Sequence, residues 1–392
     1  MFLLVSHFSV QEITMLNLIE YFSDRQLEII QRIRQFVEIE TPSGDAVRIA
    51  GMAEHVAMLL RDLGATVEIF ATVEGASVHA RFDDAATNAK KTLLVVGHCD
   101  TVWPVGTLAK MPFRIEDGRI YGPGVFDMKS GVVLILEAIE CLKQLGRKYK
   151  RPMEVFLSCD EEQGSHSTRE IIENLAKRAE AALVLEPCLP GGKVKTARKG
   201  IGQFQLTARG RSSHAGVAPE KGISAIEELA HQIIKLHSLT NHSEGVSVNV
   251  GVIKGGTMSN VVAAEATAEI DLRFWTSEQE KKLIKALNSL TPVLAGAEIE
   301  ITGKVNRPPL ERSTKITALY EHAKKLSKEL GYELEEGKTG GGSDGNFIAA
   351  MGVAVLDGLG PDGDGAHAEY EHVIIDNLAP RAALITRLME TV

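Results

Sequence analysis

The chain has 392 residues, more than one ordinary hydrophobic core serves, so two domains are expected. Hydrophobic residues make up 44% and charged residues 24%, an ordinary balance for a soluble globular protein, and no apolar run reaches the length of a bilayer span. A formal charge of −9 argues against a general nucleic-acid or anionic-membrane surface.

The opening MFLLVSHFSV lacks a basic start and a small-residue cleavage site, so residues 1–14 are read as an N-terminal arm and not a signal peptide. Residues 25 to 65 read as two helices broken at TPSGD and ended at Gly64. ATVEIF, ASVHARF and KTLLVVGH read as strands, SGVVLILEAIECLKQLG as a buried helix, MEVFLSC as a strand, STREIIENLAKRA as a helix and AALVLEP as a strand. This alternation predicts an α/β domain with a mainly parallel sheet. Near Lys193 the pattern changes to half-exposed strands: QFQLTARGR, SVNVGVIKGG, ATAEIDLRFW and AEIEITGKV, with helices GISAIEELAHQIIKLHSL and TSEQEKKLIKALNSL. The order suits a ferredoxin-like α+β fold over 195–307. Asn306–Pro309 is expected as a linker, after which the helix KITALYEHAKKLSKELG and the strand GVAVLDG resume the α/β pattern. Residues 15–194 and 308–392 therefore form one discontinuous domain, with 195–307 inserted into it. The four cysteines show no CxxC spacing, so disulfides are not expected and a cytoplasmic location is.

The chemistry gathers at strand ends. LLVVGH ends at His98 and Asp100, MEVFLSC at Asp160, Glu161 and Glu162, ALVLEP at Glu186, and VAVLDG runs on to His367. Asp127 precedes a helix in YGPGVFDMKSG. Ligands of open α/β sheets sit at the carboxyl ends of strands, so these groups are expected to converge. Each motif alone has a bland alternative; an acidic triplet, for instance, also suits a solvated helix start. Together, two imidazoles and three carboxylates make a ligand set for zinc or a similar divalent ion, and one shared carboxylate could bridge two ions. Asp100 follows His98 by two residues, so it can accept a hydrogen bond from the second ring nitrogen. Of the adjacent glutamates, one can bind metal while the other serves as general base.

GHCDTVWP, YGPGVFDMKSG, SCDEEQGS, LVLEP, RSSHAGVAPEKGISAI, GGTMSNVV, GGSDGNF and GDGAH, in that order, resemble the M20 metallopeptidases, most of all their glutamate carboxypeptidase branch. The resemblance implies two Zn2+ per chain, with Co2+ or Mn2+ as alternatives. It implies one ion on His98, Asp127 and Glu186, a second on Asp127, Glu162 and His367, a cis Asp127–Met128 peptide, Glu161 as general base and Asp100 behind His98. It further assigns His214 to the scissile carbonyl, Asn260 to substrate, Arg273 to a substrate carboxylate, Lys193 to an acidic side chain, and the loop holding Gly342 and Ser343 to substrate approach. The inserted segment would be a lid and homodimerisation domain. The implied reaction is hydrolysis of the amide next to a carboxy-terminal, glutamate-like residue of a peptide or N-acyl amino acid. N-acyl amino acid deacylation is the alternative, as in acetylornithine deacetylases, succinyl-diaminopimelate desuccinylases and aminoacylases, and a non-catalytic binding relative the distant one. Glu186 speaks against an aminopeptidase, which tends to carry Asp there.

Overall fold

The computed structural model describes residues 17–392; the N-terminal arm expected over 1–14 lies outside the described residues. The chain divides into two compact units. The first comprises the described residues up to Thr196, Arg312–Lys338 and Ser343–Val392; the second comprises Ala197–Glu311 and Thr339–Gly342.

The first unit opens with helices α1 (Asn17–Asp24), α2 (Gln26–Glu38) and α3 (Ala46–Asp62). Asp45 caps α3 by accepting the Arg48 N–H, and Gly64, at φ +103°, ends it. Strands β1 (Thr66–Thr72), β2 (Gly75–Phe82) and β3 (Thr92–His98) follow, then the short β4 (Arg114–Glu116) and β5 (Arg119–Tyr121). Next come α4 (Ser130–Gln144), β6 (Met153–Ser158), α5 (Arg169–Ala176), β7 (Ala179–Val184) and β8 (Val194–Arg198), whose last two residues lie in the second unit.

The second unit continues with β9 (Gly200–Arg209), α6 (Ala225–His237), β10 (Ser247–Gly255), β11 (Glu265–Phe274), α7 (Ser277–Asn288) and β12 (Glu298–Arg307). The first unit then closes with α8 (Thr314–Glu329), β13 (Glu336–Thr339), α9 (Gly345–Ala350), β14 (Ala354–Leu356), β15 (Gly363–Asp364), β16 (His372–Ile374) and α10 (Leu378–Thr391). The final residue of β13 clusters with the second unit.

The main sheet of the first unit has the order β1-β2-β6-β3-β7-β14. The pairs β6–β3, β3–β7 and β7–β14 are parallel, so the sheet is mainly parallel with an antiparallel edge. Strands β3 and β6 are buried along their whole length, which explains their unbroken apolar runs. The register sets His98 opposite Ser158, so the acidic triplet that comes after β6 emerges beside the imidazole. Helix α4 is buried nearly all round and packs against α2 and α10. At its start a Cβ on Gly131 would lie 2.2 Å from the carbonyl oxygen of Leu185, so only glycine lets this helix approach the chain just before Glu186. A small sheet of order β15-β16-β5-β4 adds short strands that the sequence patterning does not announce.

The second unit's sheet is antiparallel, in the order β10-β11-β9-β12. With α6 and α7 this is the expected ferredoxin-like arrangement, and alternate residues of β11 enter a core containing Leu206, Leu229, Ile270, Leu272, Phe274 and Leu287. One expectation fails here. Asn306 and Arg307 are not linker: they end β12 and are buried, and the chain leaves the sheet only at the two prolines, which cannot continue a ladder. Among the described residues no helix is long and apolar enough to cross a membrane.

Candidate metal centre

His98 ends β3 with its side chain buried. Its Nδ1 lies 2.9 Å from the backbone oxygen of Asp100 and 3.4 Å from that residue's Oδ1. The nearer partner is thus the carbonyl and not the carboxylate expected from the two-residue spacing. The Asp100 carboxylate accepts the N–H of Glu161 on Oδ1 and the N–H of Glu162 on Oδ2, each at 3.2 Å, and the Ser43 hydroxyl at 2.8 Å. It therefore orders the acidic turn as well as standing beside His98.

On the other ring nitrogen, His98 Nε2 is 3.1 Å from Asp127 Oδ1 and 3.7 Å from Glu186 Oε1. The second Asp127 oxygen, Oδ2, is 3.5 Å from Nε2 of His367, which is 3.2 Å from Glu162 Oε2. All five predicted ligands thus meet through one shared carboxylate. Donor atoms of His98, Asp127 and Glu162 lie within 4.8 Å of one another, as do those of His98, Glu161 and Glu186. Glu161 is half-buried beside them. The Asp127–Met128 peptide is cis, and His367 holds a left-handed φ of +63°. For a non-glycine residue that backbone costs about 1–2 kcal/mol.

The electrostatics describe a site short of positive charge. His367 is raised to about 10 by its hydrogen bonds to Asp127 and Glu162. Burial works to lower His98, but Asp100 and Asp127 win and raise it well above the ordinary value. Burial and the Asp127 charge push Glu162 up. Burial opposes ionisation of Asp127 too, yet the two imidazoles hold it below the usual carboxylate range. Glu162 Oε1 is buried with no hydrogen-bond partner, an orphaned acceptor on the carboxylate whose other oxygen faces His367. Bound divalent cations fit this donor set: they would take up the free lone pair and replace the extra protons on the imidazoles.

Two carboxylates and two serines missed in the sequence support the centre. Glu371 is buried and accepts N–H groups from Gly124, Phe126 and Asp127 and from the Trp103 indole. Burial pushes its carboxyl up to about 7, against the pull of those peptide donors. Asp344 accepts the hydroxyls of Ser158, at 2.7 Å, and Ser165, joining the end of β6 to the loop before α9. Asp160 turns away from the centre and binds Ser167 and Thr168. Cys99 and Cys188 are buried free thiols pushed up to about 12 and 11 by burial, as small apolar residues would be.

The remaining predicted residues occupy other settings. Lys193, in the first unit, lies 2.5 Å from Glu335 Oε2. Ser343 is buried and donates to Asp357 Oδ2 at 2.7 Å. In the second unit, a Cβ on Gly342 would strike Arg307 Cδ at 2.6 Å and Ile201 Cδ1 at 2.8 Å. Its missing side chain thus admits these neighbours, while Gly340 and Gly341 face open space. Arg273 spends Nε and one terminal nitrogen on Asp271, at 2.8 and 3.0 Å. His214 is exposed, with Nδ1 accepting the Gly216 N–H at 3.1 Å, and Asn260 is exposed in the segment whose backbone oxygen accepts the Ala215 N–H.

The fold and the donor set are those of a metal-dependent hydrolase. The chain belongs to peptidase family M20/M25/M40, whose model matches residues 94–391. Carboxypeptidase G2 of Pseudomonas sp. (strain RS-16) is 32% identical over 375 residues, covering 94% of this chain and 90% of that protein. Succinyl-diaminopimelate desuccinylase of Thioalkalivibrio sulfidiphilus (strain HL-EbGR7) is 28% identical over 338 residues, covering 80% of this chain and 88% of the relative. Among solved structures, aminopeptidase PepT from Bacillus cereus ATCC 10987 superposes with a TM-score of 0.76 at 24% identity, over 93% of this chain and 98% of its own, a likeness of fold.

Proposed function

We propose that the protein is a two-metal hydrolase that cleaves the amide bond next to a carboxy-terminal amino acid, with glutamate-like residues as the favoured leaving group. One observation carries the reading: Asp127 turns one oxygen to each of two imidazoles, with Glu186 beside the first and Glu162 beside the second. His98, Asp127 and Glu186 would hold one ion, and Asp127, Glu162 and His367 the other, both zinc, or cobalt or manganese in its place. Such a pair lowers the pKa of a water and polarises the substrate carbonyl.

The chain's own groups supply the rest. Glu161, on the same short turn as Glu162, accepts the proton of the attacking water and returns it to the leaving amine. Asp100 holds that turn by two peptide N–H groups and keeps His98 oriented. Because Nδ1 of His214 is an acceptor, its Nε2 is assigned the proton and suits donation to a developing oxyanion. Arg273 holds Nη1 off Asp271, with one long hydrogen bond of 3.5 Å to the Gly340 oxygen that a substrate carboxylate would displace or share, and Asn260 offers an amide. For the loop at Gly342 and Ser343 the backbone is assigned to substrate, since the Ser343 hydroxyl is engaged by Asp357.

The relative named carboxypeptidase G2 supports the carboxypeptidase reading. A second reading, deacylation of N-acyl amino acids, is favoured by the Lys193–Glu335 pair, which occupies the one side chain assigned to an acidic leaving group, and by the relatives named desuccinylases. A substrate panel separates them. Metal-loaded enzyme should release glutamate from acyl- and peptidyl-glutamates faster than it deacylates N-acetyl and N-succinyl amino acids; the reverse order selects deacylation. A homodimer formed through the second unit and a cytoplasmic location complete the proposal. Sedimentation showing only monomer at assay concentration would contradict the dimer.

A further inference from the structure

Glu371 takes no part in the reaction just described, yet it is fully buried and four donors converge on it. Oε2 accepts the Gly124 N–H at 2.9 Å and the Trp103 Nε1–H at 2.7 Å. Oε1 accepts the Phe126 N–H at 2.8 Å and the Asp127 N–H at 3.0 Å. All four partners donate, which a carboxylate satisfies and an amide or a protonated acid does not. The backbone of the same segment is wound tightly around His367: the Glu371 N–H reaches the Ala368 oxygen at 2.9 Å, and the Ala368 N–H reaches the Gly365 oxygen at 2.8 Å. One side chain therefore ties the loop that carries His367 to the turn that carries Asp127, residues 240 positions apart in the chain. It does so through the peptide N–H of Asp127 itself.

Resting on the two-cation reading of the centre, we infer that Glu371 is a positioning residue whose carboxylate clamps the Gly124–Asp127 turn to the His367 loop, so that Asp127 keeps one oxygen towards each imidazole. A buried acid kept only for packing would not need its acceptors matched to the backbone of the shared ligand. A glutamine here keeps the volume but turns an amide N–H2 against peptide N–H groups, so the turn must shift.

The test is cobalt(II) titration of metal-free protein, monitored by visible absorption and by competition with a chelator, on wild type, Glu371→Gln and Trp103→Phe. Wild type should take up two ions. Glu371→Gln should bind cobalt roughly tenfold to a hundredfold more weakly, with an altered absorption band, as losses of groups behind metal ligands do. Trp103→Phe, which removes one of the four donors, should weaken binding about fivefold. Lower thermal stability with wild-type affinity and band shape in both variants would mark a purely structural acid and overturn the inference, leaving the reading of the centre intact. Wild type that fails to take up a pair of ions overturns that reading, and the inference with it. If circular dichroism shows Glu371→Gln unfolded, Trp103→Phe decides alone by the same criterion.

Discussion

Asp127 Oδ1 lies 3.1 Å from Nε2 of His98, although one residue sits in a turn before α4 and the other at the end of β3. The opposite oxygen of the same carboxylate faces His367. Replacing Asp127 by asparagine keeps the shape but offers one oxygen in place of two. Metal analysis of Asp127→Asn should find fewer ions per chain than wild type. Activity should fall by at least about a hundredfold, the upper range for losing a group that only supports a ligand. Full metal content with native turnover would remove Asp127 from its bridging role.

Glu161 and Glu162 are neighbours with different assignments, and the two can be separated. Glu161→Ala should lose about a hundredfold to ten-thousandfold in kcat, the usual contribution of a positioned proton acceptor. Its metal content should stay at the wild-type level. Loss of metal along with activity would make Glu161 a ligand instead of the base.

At the far end of the sheet, Glu154 offers a pH-dependent test remote from the centre. Burial opposes its charge, but His79 at 2.7 Å and Arg178 at 2.8 and 2.7 Å pull its carboxyl from 4.5 down to about 2. A depressed carboxyl adds stability above its unfolded pKa, and that stability fades as the pH falls from 4.5 towards 2. Glu154→Gln should therefore cost about 2 kcal/mol at neutral pH, discounted because Arg178 is half in water. Its urea midpoint should also depend less on pH between 4.5 and 2 than that of wild type. An unchanged acid limb would show the cluster to be energetically silent.

Gly131 tests how closely α4 must approach the strand end that carries Glu186. A Cβ there would sit 2.2 Å from the Leu185 carbonyl oxygen, and backbone cannot give way as a side chain can. Gly131→Ala should destabilise the protein by about 1–3 kcal/mol, the range for overpacking. It should also weaken metal retention through the displaced Glu186. Unchanged melting and metal content would show that the helix start shifts freely.

Much of the centre was legible because it is built from strand ends. Continuous apolar runs at LLVVGH, MEVFLS and ALVLEP mark strands covered on both faces, and the residues just past each run lie at the ligand edge of the sheet. The second unit was legible for a different reason, since its strands alternate with one face in water. Other features carry no local signal. Glu371 works through peptide groups of residues far upstream, which no spacing rule reports. The fork of Arg273 is spent on Asp271, two places away on the same face of β11, a choice set by rotamers and not by sequence. Asn306 and Arg307 look like a hinge because prolines come next, yet both are buried at the end of β12, whose partner strand β9 pairs Ile201 with Arg307 from about a hundred residues away.

The order of these groups along the chain has a consequence for biosynthesis. His98 leaves the ribosome about 270 residues ahead of His367 and Glu371. The second unit has its own core and sheet, complete with Arg307 apart from the Thr339–Gly342 segment, so it can fold while the catalytic unit is still two separated pieces. A nascent chain halted before the His367 segment would carry a finished insert and an unassembled centre, which keeps the hydrolase silent until that segment has been made.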